Sequence, residues 1–327
     1  MITKAQYLST IDETEQTWGA VFKNLRYYDF KIKKSATKMR HIEAPVKELK
    51  ILQKKLATTF NLHYKNKLPS SVYGYIPKYI CPDTPRDIRS NALCHATQQY
   101  LLNIDLKDFF HQIKSHTIES ICSSLGFEPT LSKEVSIITT KDGRLPMGSP
   151  TSPVLSNWAA LSLDQKLMQW ASEKNIIYTR YVDDLSFSGM KDLSGLQESI
   201  FAIISENGFY INDQKIKYYL PEDIKTITGI DIQQLNLTVN TETIQKIQNN
   251  IRLLKKVVNA GHLANATHSP HLLHKDEKIK TIKKSIEGQI QFVKRIEKKD
   301  SANYQQLKKL YKKAIRPEDQ FEFNFYI

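Results

Sequence analysis

Tyr181-Val182-Asp183-Asp184 is the pivot of this chain. Ile176-Ile177-Tyr178-Thr179-Arg180 precedes it and Leu185-Ser186-Phe187-Ser188 follows it, both apolar and β-rich. The pattern predicts two strands with an acidic pair at the bend between them. Adjacent carboxylates repel, and crowding them is costly unless a cation compensates. Hard oxygen ligands of this kind suit Mg²⁺, which also binds substrate phosphates. The pair points to metal-assisted phosphoryl transfer, given a third carboxylate.

Asp105 supplies that candidate. It ends the apolar run Leu101-Leu102-Asn103-Ile104, and Phe109-Phe110 follow at the start of an expected helix. Alone, Asp105 reads as a helix N-cap. With the tandem aspartates it reads as part of a carboxylate set that bridges two metal ions about 3.5–4 Å apart.

The chain has 327 residues, with 47 Lys+Arg against 34 Asp+Glu and a net charge of +13. Such an excess favours a polyanionic partner, nucleic acid before membrane, although a solvated lysine surface would produce the same number. Cys81, Cys94 and Cys122 are widely spaced, so neither zinc nor a disulfide framework is indicated and a reducing, cytoplasmic setting fits. The N-terminal residues lack the apolar core of a signal peptide, and no apolar run approaches a membrane span.

Residues 1–100 read as mixed, with Leu49, Leu52 and Leu56 at helical spacing and Pro69, Pro77, Pro82 and Pro85 marking an irregular stretch. Ser152 and Pro153 predict a helix N-cap and first turn ahead of Val154, Leu155, Trp158 and Leu161. Beyond residue 240 the character changes. Ile244, Ile247, Ile251, Leu254 and Val258 mark an amphipathic helix ending near Gly261. Ile279, Ile282, Ile286 and Val293 mark a second, and Leu307, Leu310 and Ala314 a third. This segment carries 18 Lys+Arg against 9 Asp+Glu, most of the chain's net charge, so it could clamp a nucleic-acid backbone or be a bundle with solvated lysines. His262, His268, His271 and His274 lack companion metal-ligand spacing and read as a polar loop. Phe321-Glu322-Phe323-Asn324-Phe325 alternates like an edge strand.

The order of three motifs is specific: Asp105 with its two phenylalanines, then Leu145-Pro146-Met147-Gly148-Ser149-Pro150-Thr151-Ser152-Pro153, then Tyr181-Val182-Asp183-Asp184. In that order they resemble the reverse transcriptases, over roughly residues 35–235. Asn91-Ala92-Leu93-Cys94-His95 and Ile227-Thr228-Gly229 resemble two segments of the bacterial retron type. The resemblance implies that Asn91, His95, Thr228 and Gly229 help hold a cognate RNA. From the residues alone, His95 is as well a hydrogen-bonded structural histidine, and Gly229 permits a turn.

Further roles follow from the resemblance. Lys38 and Arg40 lie where basic residues of the fingers meet the incoming triphosphate, and a guanidinium grips phosphate in bidentate fashion. Phe110, five residues after Asp105, lies at the place of a steric gate against a 2′-hydroxyl; periodicity alone would make it core. Gly148 would permit close backbone approach to the templating pair. Met147 replaces the family's usual glutamine, so a sugar hydrogen bond is replaced by packing. Lys215 would protonate or attract pyrophosphate.

The expected fold is α+β, a right-hand polymerase: fingers over 1–100, an antiparallel-sheet palm over 101–240 and a basic helical thumb over 241–327. The expected activity is RNA-directed DNA synthesis from dNTPs with two Mg²⁺ ions on Asp105, Asp183 and Asp184. By the same resemblance, the template is a structured noncoding RNA, primed from a guanosine 2′-hydroxyl to give branched RNA–DNA (msDNA), in antiphage defence with an effector protein encoded nearby. The alternatives are another bacterial defence enzyme, a group II intron-like reverse transcriptase, or a noncatalytic RNA-binding scaffold.

Overall fold

The computed structural model describes residues 1–33, 39–265 and 273–315. Two compact units divide the chain, 1–223 and 224–327. Lys38 and the Phe321–Phe325 tail lie outside the described residues.

In the first unit, strands β1 (Tyr27–Lys33) and β2 (Met39–Pro45) form an antiparallel pair in the register Tyr27↔Pro45 to Lys33↔Met39. Helix Lys47–Lys65 follows and buries Leu49, Leu52 and Leu56, the stripe expected from their spacing, together with Phe60. Strands β3 (Tyr100–Asp105), β4 (Ile177–Tyr181), β5 (Asp184–Gly189) and β6 (Lys217–Tyr219) form a sheet in the order β4-β5-β3-β6, antiparallel throughout. One face of it is apolar. Leu102, Ile104, Tyr178, Leu185 and Phe187 pack into a core with Leu155, Leu163, Leu167, Ile200 and Ile204 of the neighbouring helices. The other face carries Asn103, Thr179, Ser186 and Ser188, as the period of two requires.

Sequence and structure differ at two helix ends. Thr151, not Ser152, is the N-cap of helix Ser152–Ala159, because the Ser152 hydroxyl donates to the Pro146 carbonyl (2.7 Å). The first helix of the second unit passes Gly261 and runs from Thr241 to Asn265, since a glycine lowers helix stability without forbidding it. The second helix begins at Leu273, so both helices extend into the expected histidine loop. His268 and His271 lie outside the described residues.

The second unit also contains an antiparallel sheet of β7 (Lys225–Ile227), β8 (Ile230–Gln233) and β9 (Asn236–Val239). Thr228 (φ 49°) and Gly229 (φ 85°) make the tight turn between β7 and β8. Helices Thr241–Asn265, Leu273–Glu297 and Ala302–Ile315 bury Ile247, Leu254, Ile286, Val293 and Leu307, so all three predicted helices are present. No helix among the described residues is long and apolar enough to cross a membrane.

Candidate active site

The β4–β5 hairpin turns through Val182 and Asp183, with Tyr181 opposite Asp184. On the next strand Asp105 is the register partner of Asp184. The Leu106 N–H donates to the Asp183 carbonyl (2.8 Å), tying the turn to the end of β3. The Asn212 N–H donates to the Asp105 carbonyl (2.8 Å) from the other side. Three acids separated by up to 79 residues in the chain thus come to one end of one sheet.

Asp105 and Asp183 line a cavity of about 430 Å³, while Asp184 is not among its lining residues. Arg40, Phe110, Met147 and Lys215 line it too, so four of the residues expected to meet the nucleotide reach one cavity with two of the acids. The Lys215 ammonium donates to Asp105 Oδ2 (2.6 Å), and the Asp105 side chain is 9 % exposed against 42 % for the lysine. Gly148, with φ 135°, presses on β2: a Cβ there would lie 3.0 Å from the Glu43 carbonyl oxygen and from Ile42 Cγ2. Its close approach is therefore to the protein's own strand.

Backbone strain reaches the cavity. Tyr75 (φ 60°), Asp108 (φ 47°) and Val182 (φ 65°) all line this cavity, and all are non-glycine residues in the left-handed region. Each such residue costs roughly 1–3 kcal/mol, and such residues cluster at functional sites. Val182, β-branched, occupies a hairpin position that ordinarily takes glycine. Gly74 lies against this turn: a Cβ on it would be 2.3 Å from the Val182 nitrogen.

Two buried polar residues hold the hairpin, one on each face. Arg180 binds Asp164 through Nε (2.8 Å) and Nη2 (2.6 Å), and its Nη1 donates to the Asn157 Oδ1 (3.1 Å) and the Val182 carbonyl (3.0 Å). Burial and the Asp164 carboxylate hold the Tyr178 phenol, which donates to Asp164 Oδ1 (2.8 Å), well above its usual range. On the other face His95, 1 % exposed, joins Thr179 Oγ1 on β4 (2.8 Å) and Ser188 Oγ on β5 (2.6 Å). Burial holds its ring neutral, with a pKa of about 3. Asn91 is equally buried. Both side chains are buried within the first unit, and His95 is bonded to two strands of the sheet. Thr228 and Gly229 belong to the second unit.

Sequence reading missed Tyr75, Gly74, Asp164 and the hub at Glu43. Glu43 is 1 % exposed and accepts from Arg144 Nη1 (2.9 Å) and Nη2 (3.2 Å). Burial alone would raise its carboxyl, but Arg144 and Lys141 outweigh that and hold it at about 2. The Glu43 N–H also donates to the Met147 carbonyl (2.8 Å), so β2, which carries Arg40, is joined to the loop that carries Met147. A glycine in a proline-marked irregular stretch was the one available signal for the Gly74–Tyr75 pair.

The donor chemistry at Asp105 and Asp183 fits a hard divalent cation, and Lys215 already brings a positive charge to Asp105. Among the described residues, the group whose donor atoms all lie within 4.8 Å of one another is a different one, Asp29, His41 and Glu43. There the Lys141 ammonium lies 2.6 Å from Asp29 and 3.2 Å from Glu43, so a cationic side chain already serves those carboxylates.

Comparison with known proteins agrees with this geometry. Residues 32–254 match the family model described as reverse transcriptase (RNA-dependent DNA polymerase). Retron Ec86 reverse transcriptase of Escherichia coli is 32 % identical over 225 residues, covering 68 % of this chain and 68 % of that protein. Retron Ec73 reverse transcriptase of Escherichia coli is 32 % identical over 238 residues, covering 67 % and 72 %. Retron Mx65 reverse transcriptase of Myxococcus xanthus is 28 % identical over 230 residues, covering 63 % of this chain and 51 % of that protein. With the acids at the end of an antiparallel sheet and this match over most of its length, the chain belongs to the reverse transcriptases of the retron type, RNA-directed DNA polymerases.

Proposed function

We propose that this enzyme copies a structured noncoding RNA encoded beside it, starting from the 2′-hydroxyl of a guanosine in that RNA and leaving a branched RNA–DNA product. The support is the company it keeps: its relatives are named for retrons. Work in antiphage defence beside an effector protein, in the cytoplasm, completes the reading. In this scheme residues 1–100 are fingers, 101–240 palm and 241–327 thumb, with Thr228 and Gly229 near the bound RNA. The Thr228 hydroxyl has no hydrogen-bond partner among the described residues, which leaves it available to one.

The reaction centres on Asp105, Asp183 and Asp184 as the seat of two Mg²⁺ ions. Bound there, the ions would neutralise charge on the attacking and leaving oxygens. The chain's own residues do the rest. Arg40, with Lys38 beside it in sequence, grips the triphosphate, and Lys215 offers a proton to the departing pyrophosphate. Phe110 lies under the sugar and excludes a 2′-hydroxyl. Met147 packs against the nucleotide where a glutamine would hydrogen-bond it. Chemistry of this type depends mainly on position and charge neutralisation.

The observation that carries the reading is the pairing of Asp105 with Asp184 across β3 and β5, with Asp183 facing the same cavity as Asp105. Asp183→Asn should abolish dNTP incorporation on a primed RNA template with Mg²⁺ present, and full residual activity rejects the assignment. The branched product is tested separately. Nucleic acid copurified from cells should be sensitive to both RNase and DNase and keep a covalent RNA–DNA joint on denaturation, and two strands that separate on denaturation would dismiss self-priming.

A further inference from the structure

Tyr75 has no part in the scheme above, yet it is placed as though it should. The residue is 41 % exposed and lines the same cavity as Asp105, Asp183, Arg40 and Phe110. Its ring centroid is 6.0 Å from that of Phe110, with the planes at 31°. Phe110 is itself backed by Phe109 at 5.9 Å. Phe110 thus touches a ring on each side, and all three rings line the cavity. Burial and then the Asp183 carboxylate raise the Tyr75 phenol, whereas Arg40 opposes them, so its hydroxyl lies in the field of both groups.

The backbone shows that this placement is imposed. A tyrosine at φ 60° is strained. The preceding Gly74 is buried against the Val182 turn with no room for a Cβ. Its carbonyl is fixed by the Asn157 side-chain amide at 3.1 Å. Gly74 thus fastens the segment to the hairpin that carries Asp183, and the strained residue after it projects its ring towards Phe110. The chain spends stability at a position where glycine would fit without strain.

We propose that Tyr75 is a specificity-determining residue, which props the Phe110 ring and so fixes how closely the sugar of an incoming nucleotide is screened. The proposal rests on the assignment of Phe110 as the gate. Without Tyr75 the Phe110 ring has an open flank and can tilt away from a 2′-hydroxyl. Aromatic pairs of this kind are worth enough to shift a discrimination ratio on the order of tenfold.

Single-nucleotide incorporation on a primed RNA template, with dNTP and rNTP kinetics for each variant, tests this. Tyr75→Gly removes the ring and also relieves the backbone, so its melting temperature should stay close to wild type while the rNTP/dNTP ratio of kcat/KM rises on the order of tenfold. Tyr75→Phe keeps the ring and should keep the ratio. Phe110→Ala should relax discrimination, and adding Tyr75→Gly to it should change little, because the propped ring is gone. An unchanged ratio in Tyr75→Gly, with Phe110→Ala relaxed, overturns the role of Tyr75 and leaves the gate standing. Fully additive effects in the double variant also overturn the propping. A Tyr75→Gly protein that melts well below wild type with unaltered discrimination would make the tyrosine a structural residue only. If Phe110→Ala fails to relax discrimination, the gate assignment and this proposal fall together, while activity in that variant would still leave the polymerase reading intact.

Discussion

The guanidinium of Arg180 bridges the carboxylate of Asp164 and the carbonyl of Val182, the residue just before Asp183, with neither charged side chain exposed. The Asp164–Arg180 pair is thus a brace, holding the strained turn from the core side. A lysine would keep the charge and lose the fork. Arg180→Lys should lower stability and let the turn drift, reducing kcat for dNTP incorporation more than it raises KM. Arg180→Met leaves Asp164 buried without its counter-ion, which costs roughly 3–5 kcal/mol and removes much of an ordinary domain's stability. Thermal denaturation and single-turnover kinetics check both. A folded Arg180→Lys enzyme with wild-type kcat would show that the turn holds itself.

Gly74→Ala examines the same turn from outside. The added methyl would meet the Val182 nitrogen at 2.3 Å, and a backbone atom has nowhere to swing. The turn must move, and Asp183 with it. The expected outcome is a fall in kcat of tenfold or more, since small misplacements at a reacting centre are expensive. Because the crowding is at backbone, Gly74→Ser should be no better than alanine. Activity near wild type in a soluble Gly74→Ala enzyme would mean that the segment around Gly74 yields instead of the hairpin.

The acidic hairpin was legible in the sequence because its signal is local: β-rich residues on either side of two acids that a bend must hold. Helices with apolar stripes were legible for the same reason, and the three after residue 240 are present. Capping at Ser152 was misread by one residue because its hydroxyl has a distant competitor, the Pro146 carbonyl. Tertiary contacts hid the rest. Asp164 looks like any acid on an amphipathic helix until Arg180 meets it. Nothing around Glu43 announces that Arg144 and Lys141 will converge on it from a loop about a hundred residues away. Nor does sequence give φ, so the strain at Tyr75 and Val182 had no trace in residue type.

Acid sensitivity separates the structural histidine from the carboxylates. Unfolded, His95 takes its proton near its ordinary value of 6.5; folded, burial holds it off until about 3. Between those limits the unfolded chain binds the extra proton, so stability falls as pH drops through that window and is complete above it. The slope from this one ring is roughly 1.4 kcal/mol per pH unit. Glu43, also held low, has the same sign but acts only below its ordinary value of 4.5. His111, lowered chiefly by burial and then by Arg144, adds a smaller slope of the same sign in the histidine range. The difference between wild type and His95→Gln between pH 5 and about 6.5 therefore isolates His95. A glutamine can bond to Thr179 and Ser188 but does not titrate, so urea midpoints of His95→Gln should fall less steeply with acid than those of the wild-type enzyme. Parallel curves would mean that the ring takes its proton within the folded protein, and that the hydroxyls of β4 and β5 accept it.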